Sequence, residues 1–183
     1  MSTALIIVDI QNDYFPNGKM ELSNPEKAAT NAAKILEWFR QYNKENIFHV
    51  QHLAASPELG FFLPETKGAE IHETVQPAAN EEVIVKYYPN SFLQTDLESK
   101  LKANGVTKVV VVGMMTHMCI DATVRAAVDL GFETTLIEDA CATRELEYDG
   151  NVVPAAQVHT AFVSALASLY ATVMSTDTFL KNN

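Results

Sequence analysis

The chain has 183 residues, 48% of them hydrophobic and 20% charged, with a net charge of −10. That length predicts a single domain over residues 1–183 with a substantial core. The acidic balance argues against nucleic acid or an anionic membrane as partner, and two cysteines are too few for a disulfide scaffold.

The opening residues read as no charged-then-apolar leader, and no apolar run approaches membrane-spanning length. A reducing cytoplasm is the expected setting. In chain order, the pattern predicts a buried strand over Ala4–Ile10. A helix follows from Pro25 to about Asn43, with Asn24 as its cap and Pro25 at its first position. Strands are expected over Ile47–His52 and Val83–Val85. A helix over Asp96–Asn104 is opened by a Thr95/Glu98 capping box and closed by Gly105. Val109–Val112 is the fourth strand and His117–Leu130 a helix closed by Gly131. Thr134–Ile137 is the fifth strand. Pro154–Tyr170 is a long helix with Val158, Phe162, Leu166 and Leu169 on one face. Thr172–Ser175 is a short sixth strand. The segment from Ala54 to Pro77 fits no element, and loops of that length are usually functional or disordered. Alternation of near-continuous apolar strands with helices predicts an α/β fold, a three-layer α/β/α sandwich around a mainly parallel sheet.

In such sheets ligands bind beyond the carboxyl ends of the strands. There the pattern places Asp9, His52, Lys86, the Met114-to-Cys119 segment and Asp139. An acid, a cation and a thiol share one rim. A nucleotide site would need a glycine-rich turn after the first strand. The turn reads Asp9-Ile10-Gln11-Asn12-Asp13-Tyr14-Phe15, with no glycine and two acids.

Three segments together resemble the isochorismatase-like cysteine hydrolases: LIIVDIQNDYF near the start, the lysine after EEVIV, and GMMTHMCIDATVRAA. The likeness covers nearly the whole chain. It implies a six-stranded Rossmann-like sheet and a catalytic triad, which matches Asp9, Lys86 and Cys119 position by position. It also implies a cis peptide between Met114 and Met115. Members of the family are commonly dimers or tetramers, so a homo-oligomer is expected.

The chemistry follows from the residue types. A free thiol has a pKa of about 8.5. A helix N-terminus and a nearby Lys86 ammonium would lower it, so Cys119 is expected as a resting thiolate. Asp9 would take the thiol proton and pass it to the leaving amine. Lys86 would hold Asp9 and balance its charge. Backbone N–H groups of Cys119 and Met115 would form an oxyanion hole. The product is a thioester that water hydrolyses, which is acyl transfer from a small amide or related C–N bond.

His49 and His52 are three apart on a predicted strand and face opposite ways, so they should not share an ion. Nicotinamidase-type relatives carry Asp-Trp-His for a metal after this strand, where this chain reads His52-Leu53-Ala54. No metal and no cofactor is expected. His52 is read as a pocket-wall or structural histidine, His72 and His159 as structural or exposed, and Cys141 as a small hydrophobe. Gln11, Phe15, Phe62, Tyr88 and His117, with Phe61 and Tyr87, suggest a partly aromatic pocket for a small molecule. Alternatives left open are vinyl ether hydrolysis, as in isochorismate cleavage, and a non-catalytic or redox-responsive binder, with Cys141 as the resolving thiol.

Overall fold

A computed structural model describes residues 2–183. Strands β1 (Ser2–Val8), β2 (Ile47–His52), β3 (Glu82–Lys86), β4 (Val106–Met114), β5 (Glu133–Ala142) and β8 (Thr172–Met174) form one six-stranded sheet. Its order is β3-β2-β1-β4-β5-β8 and every pair is parallel. Two short strands, β6 (Leu146–Tyr148) and β7 (Asn151–Val153), pair separately as an antiparallel hairpin. The sheet and its flanking helices are the expected Rossmann-like α/β architecture.

The alternation of strand side chains divides the core. On one face Leu5 and Ile7 of β1 and Val110 and Val112 of β4 pack with Ile35, Leu36 and Phe39 of α1 (Pro25–Tyr42) and Phe179 of α5 (Thr176–Asn182). On the other, Ala4, Ile6 and Val8 pack with Leu97 and Leu101 of α2 (Leu97–Ala103). Val124 of α3 (Asp121–Asp129) and Leu166 of α4 (Ala155–Leu169) complete that face. No helix of the described residues is long and apolar enough to cross a membrane.

Several local expectations change. β5 runs on past Ile137 to Ala142, with a register irregularity opposite Val111 and Gly113. In that extension the Asp139 carboxylate accepts from the N–H and hydroxyl of Thr176, both at 2.7 Å. The capping box does not form: the Thr95 hydroxyl donates to the Ser91 carbonyl at 2.6 Å, and Glu98 pairs with Lys102. Asn24 sits in the left-handed region and makes no side-chain cap bond. Leu169 ends α4 at 86% exposure, past the last packed turn at Leu166.

The unassigned segment from Ala54 to Pro77 contains three 3-10 turns, at Pro57–Leu59, Lys67–Ala69 and Glu73–Val75. Buried polar groups fasten it to the end of β1. Asp13 Oδ2 accepts from the Phe62 N–H at 2.7 Å, and the Gln11 amide donates to the Ala69 carbonyl at 2.8 Å. The segment's order comes from these long-range bonds, which no local pattern reveals.

Candidate active site

β1 stops at Val8, and Asp9 takes φ +52°, a left-handed conformation that few residues other than glycine adopt. The chain leaves the sheet there. β4 runs alongside at very close range. A Cβ at Gly113 would lie 2.0 Å from the Val8 carbonyl oxygen, and Gly113 has φ +135°, so glycine is required on both counts. The Met114–Met115 peptide that follows is cis. Thr116–Ile120 then makes a single π-helical turn that leads into α3, and Cys119 lies within it. Such turns are rare and concentrate at functional sites.

Lys86 ends β3, two strands from β1, and backbones two strands apart are separated by roughly 10 Å. A long side chain is needed to cross. Lys86 Nζ reaches to 2.8 Å from Asp9 Oδ2 and also donates to the Pro89 carbonyl at 2.8 Å. Asp9 and Lys86 are entirely buried. Asp9 Oδ1 accepts no hydrogen bond among the described residues. His52, which ends β2 between them, places Nδ1 3.7 Å from Asp9 Oδ2 and 3.8 Å from Cys119 Sγ.

The electrostatics correct one expectation. Burial alone would raise the Asp9 carboxyl, but Lys86, with His52, outweighs it and holds Asp9 below its ordinary value. Burial would likewise depress Lys86, yet Asp9 and Cys119 keep it above its usual value. The Cys119 thiol is pushed strongly upwards, first by burial and then by the neighbouring Asp9 charge, with Lys86 opposing only in part. The resting group is a thiol beside a carboxylate–ammonium pair. The expected thiolate fails because the thiol is buried, and because the Asp9 charge beside it outweighs the opposing Lys86.

A cavity of about 590 Å³ opens beside the thiol, lined by Cys119, His52, Met115, Tyr14, Arg144 and His117 among others. Met118, Tyr87, Leu59, Phe61 and Glu58 also contribute to its wall. Of the five residues expected to bind substrate, His117 alone lines it. Gln11 is buried behind it, donating to the His52 carbonyl and accepting from the His52 N–H, both at 2.8 Å. It fixes the histidine. Phe15 stacks on His72 at 3.7 Å between ring centroids. Phe62 packs edge-on against Tyr14 in the core. Tyr88 is exposed on the surface, while its neighbours Tyr87 and Pro89 line the cavity.

The remaining histidines have other partners. His49 Nε2 lies 2.8 Å from Glu81 Oε2, and His159 Nδ1 lies 2.9 Å from the Thr116 hydroxyl. The sequence reading missed Tyr14, Met20, Met118 and Arg144 as cavity residues. Arg144 was within reach, because it follows the carboxyl end of β5 on the same rim.

Donor atoms of Asp9, His52 and Cys119 lie within 4.8 Å of one another and are of the types zinc accepts. A divalent ion there would share Asp9 with an ammonium already 2.8 Å from it. The donor set therefore fits a resident metal poorly. Cys141 lines a different cavity, with Lys27 and Glu138, and its Sγ donates to the Ile137 carbonyl at 3.4 Å. The two thiols do not face each other across one space.

The family model for the isochorismatase domain matches residues 3–178. The isochorismatase family protein YddQ of Bacillus subtilis (strain 168) is 57% identical over 181 residues, which is 99% of this chain and 100% of that protein. Ureidoacrylate amidohydrolase RutB of Acinetobacter baylyi is 30% identical over 171 residues, 76% of this chain and 70% of that protein. The crystal structure of an isochorismatase-type hydrolase from Oleispira antarctica superposes with TM-score 0.93 at 48% identity, covering 98% of this chain and 96% of that one.

Proposed function

Because the chain belongs to the isochorismatase family of hydrolases, we propose that it hydrolyses a small amide or ureide C–N bond through a thioester on Cys119. The observation that carries this reading is that Cys119 and His52 place donor atoms within 4.8 Å of the carboxylate of a fully buried Asp9–Lys86 pair, at the wall of a substrate-sized cavity. The amidohydrolase RutB among the relatives adds support for C–N chemistry.

The resting charges set the order of events. Cys119 Sγ attacks the substrate carbonyl as its proton passes to Asp9, so no free thiolate accumulates. The carbonyl electrons move onto oxygen, and the N–H groups of Met115 and Cys119 would donate hydrogen bonds to that oxyanion. The intermediate collapses, the C–N bond breaks, and Asp9 returns its proton to the departing nitrogen. Water then attacks the thioester and gives a proton to Asp9. Expulsion of sulfur and return of that proton restore the thiol and release the acid.

Lys86 keeps Asp9 ionised while Asp9 waits to act as base. Without that cation, a carboxyl so deeply buried would take up a proton. His52 is positioned by Gln11 beside both reacting groups. No step requires a metal or an organic cofactor.

The test is ammonia or amine release from a panel of small amides, carbamoyl compounds and ureides. The parent protein is expected to turn over at least one of them, and Cys119→Ala none. Release at the parental rate by Cys119→Ala would refute the thioester route.

A further inference from the structure

The cavity beside Cys119 carries a cation that the reaction above does not use. The chain has three arginines. Arg40 holds Glu81 through Nε at 2.7 Å and Nη2 at 2.9 Å, and Arg125 holds Asp121 through Nε and Nη2 at 3.0 Å. Arg144 differs. No carboxylate lies within 4.0 Å of it among the described residues. Its Nε is buried without a hydrogen-bond partner, and Nη1 makes one long bond of 3.3 Å to the carbonyl of the next residue, Glu145.

A guanidinium is a rigid fork of donors that matches a carboxylate, and leaving its buried N–H groups unmade is unfavourable. The chain has 23 Asp and Glu residues, so an intramolecular partner is not scarce. Glu58, the one carboxylate lining the same cavity, is exposed and lies beside the Ser56 hydroxyl at 3.3 Å.

The backbone that carries Arg144 is fixed. Thr143 pairs with Ser23 through a 2.9 Å N–H to carbonyl bond, and its hydroxyl lies 2.5 Å from His117 Nδ1. Arg144 thus lines the same cavity as Cys119, with Nε unpartnered and Nη1 engaged only by the carbonyl of its chain neighbour. Burial and the Arg144 charge both depress His117, which leaves Arg144 the charged donor on this part of the wall.

We propose that Arg144 is the specificity residue of the site and receives a carboxylate of the substrate while Cys119 attacks a carbonyl elsewhere in the same molecule. The substrate class is then the amido and ureido acids, monoanions small enough for a cavity of about 590 Å³. This rests on the reading of Cys119 as nucleophile.

The test uses two alkylating reagents of nearly equal size, iodoacetate and iodoacetamide. In both, the thiolate displaces iodide and a sulfur–carbon bond forms, but only iodoacetate carries the anion. The iodoacetate-to-iodoacetamide rate ratio at Cys119, read by peptide mass at alkaline pH, is expected to exceed that of free cysteine. It should fall about tenfold in Arg144→Gln and partly recover in Arg144→Lys. A ratio unchanged by Arg144→Gln would overturn the assignment.

Equilibrium binding of 3-ureidopropionate and of its uncharged amide to Cys119→Ser reads the same contact without the nucleophile. Preference for the acid, lost in Arg144→Gln, is expected. Equal binding of acid and amide would overturn the assignment, whereas failure of the nucleophile reading would show separately as turnover by Cys119→Ala.

Discussion

The Lys86 ammonium lies 2.8 Å from the Asp9 carboxylate with both side chains entirely buried, and the thiol of Cys119 sits beside that closed pair. Each partner keeps the other charged, and the thiol between burial and a negative neighbour stays protonated. Asp9→Asn should therefore lower kcat/KM by at least about 100-fold, the usual contribution of a positioned proton carrier. It also leaves a buried ammonium unpaired, for which about 3–5 kcal/mol of lost stability is expected. Steady-state rates together with thermal melting check both parts, and activity within a few-fold of the parent would remove Asp9 as base.

The same substitution should have the opposite effect on the thiol. Removing the Asp9 charge takes away one of the two causes that raise Cys119. Iodoacetamide labelling of Cys119 near pH 8 should therefore be faster in Asp9→Asn than in the parent, although turnover is lost. Slower or equal labelling would show that Asp9 does not act on the thiol.

The pH profile follows from the same two groups. Asp9 is depressed below the ordinary carboxylate value and Cys119 is raised above that of a free thiol. The working form, with Asp9 ionised and Cys119 protonated, should persist between them. A level kcat/KM from about pH 5 to about pH 8.5 is expected. An inflection near neutrality traceable to Cys119 alkylation would restore the resting thiolate.

Acid stability should depend on Glu81, far from the chemistry. Its carboxylate meets Arg40 at 2.7 Å, His49 at 2.8 Å and the Ala78 N–H at 2.9 Å. Burial works against its ionisation, but Arg40, Ala78 and His49 outweigh burial and hold it at about 2, against an ordinary 4.5. A depressed carboxyl stabilises the fold above its unfolded value, and that contribution drains away as pH falls through the folded one. Glu81→Gln should lower stability at pH 7 and flatten its decline between 4.5 and about 2. Urea unfolding at several pH values measures this, and parallel curves would contradict it.

Gly113 tests the backbone that leads from β4 to Cys119. An alanine Cβ would meet the Val8 carbonyl at 2.0 Å in a conformation of φ +135°. Gly113→Ala should cost roughly 1–3 kcal/mol or more through strain and overpacking. Unchanged melting would show that β1 and β4 are not held this close.

The sheet was legible because its strands are continuous apolar runs that only two covered faces explain, as in Val109–Val112. Asp9, Lys86 and Cys119 could be read as neighbours from the shared rim. The lining of the cavity could not. Gln11 looked like a polar handle, but its amide is consumed by His52 and Ala69. Phe62 looked like a pocket aromatic, but Asp13 draws its N–H inwards and the ring enters the core. Both outcomes depend on partners about 40 or more residues away, beyond the reach of any local pattern. The charge on Cys119 was misread because a helix start and a nearby Lys86 suggest a thiolate, whereas the burial that raises the thiol comes from packing by distant segments.

The most direct measurement is intact and peptide mass after acid quench of the protein with a panel of ureido and amido acids. An adduct of the acyl group on the Cys119 peptide is expected in the parent and none in Cys119→Ala. Hydrolysis of a panel member by Cys119→Ala at the parental rate, with no adduct in either protein, would contradict the cysteine-centred account.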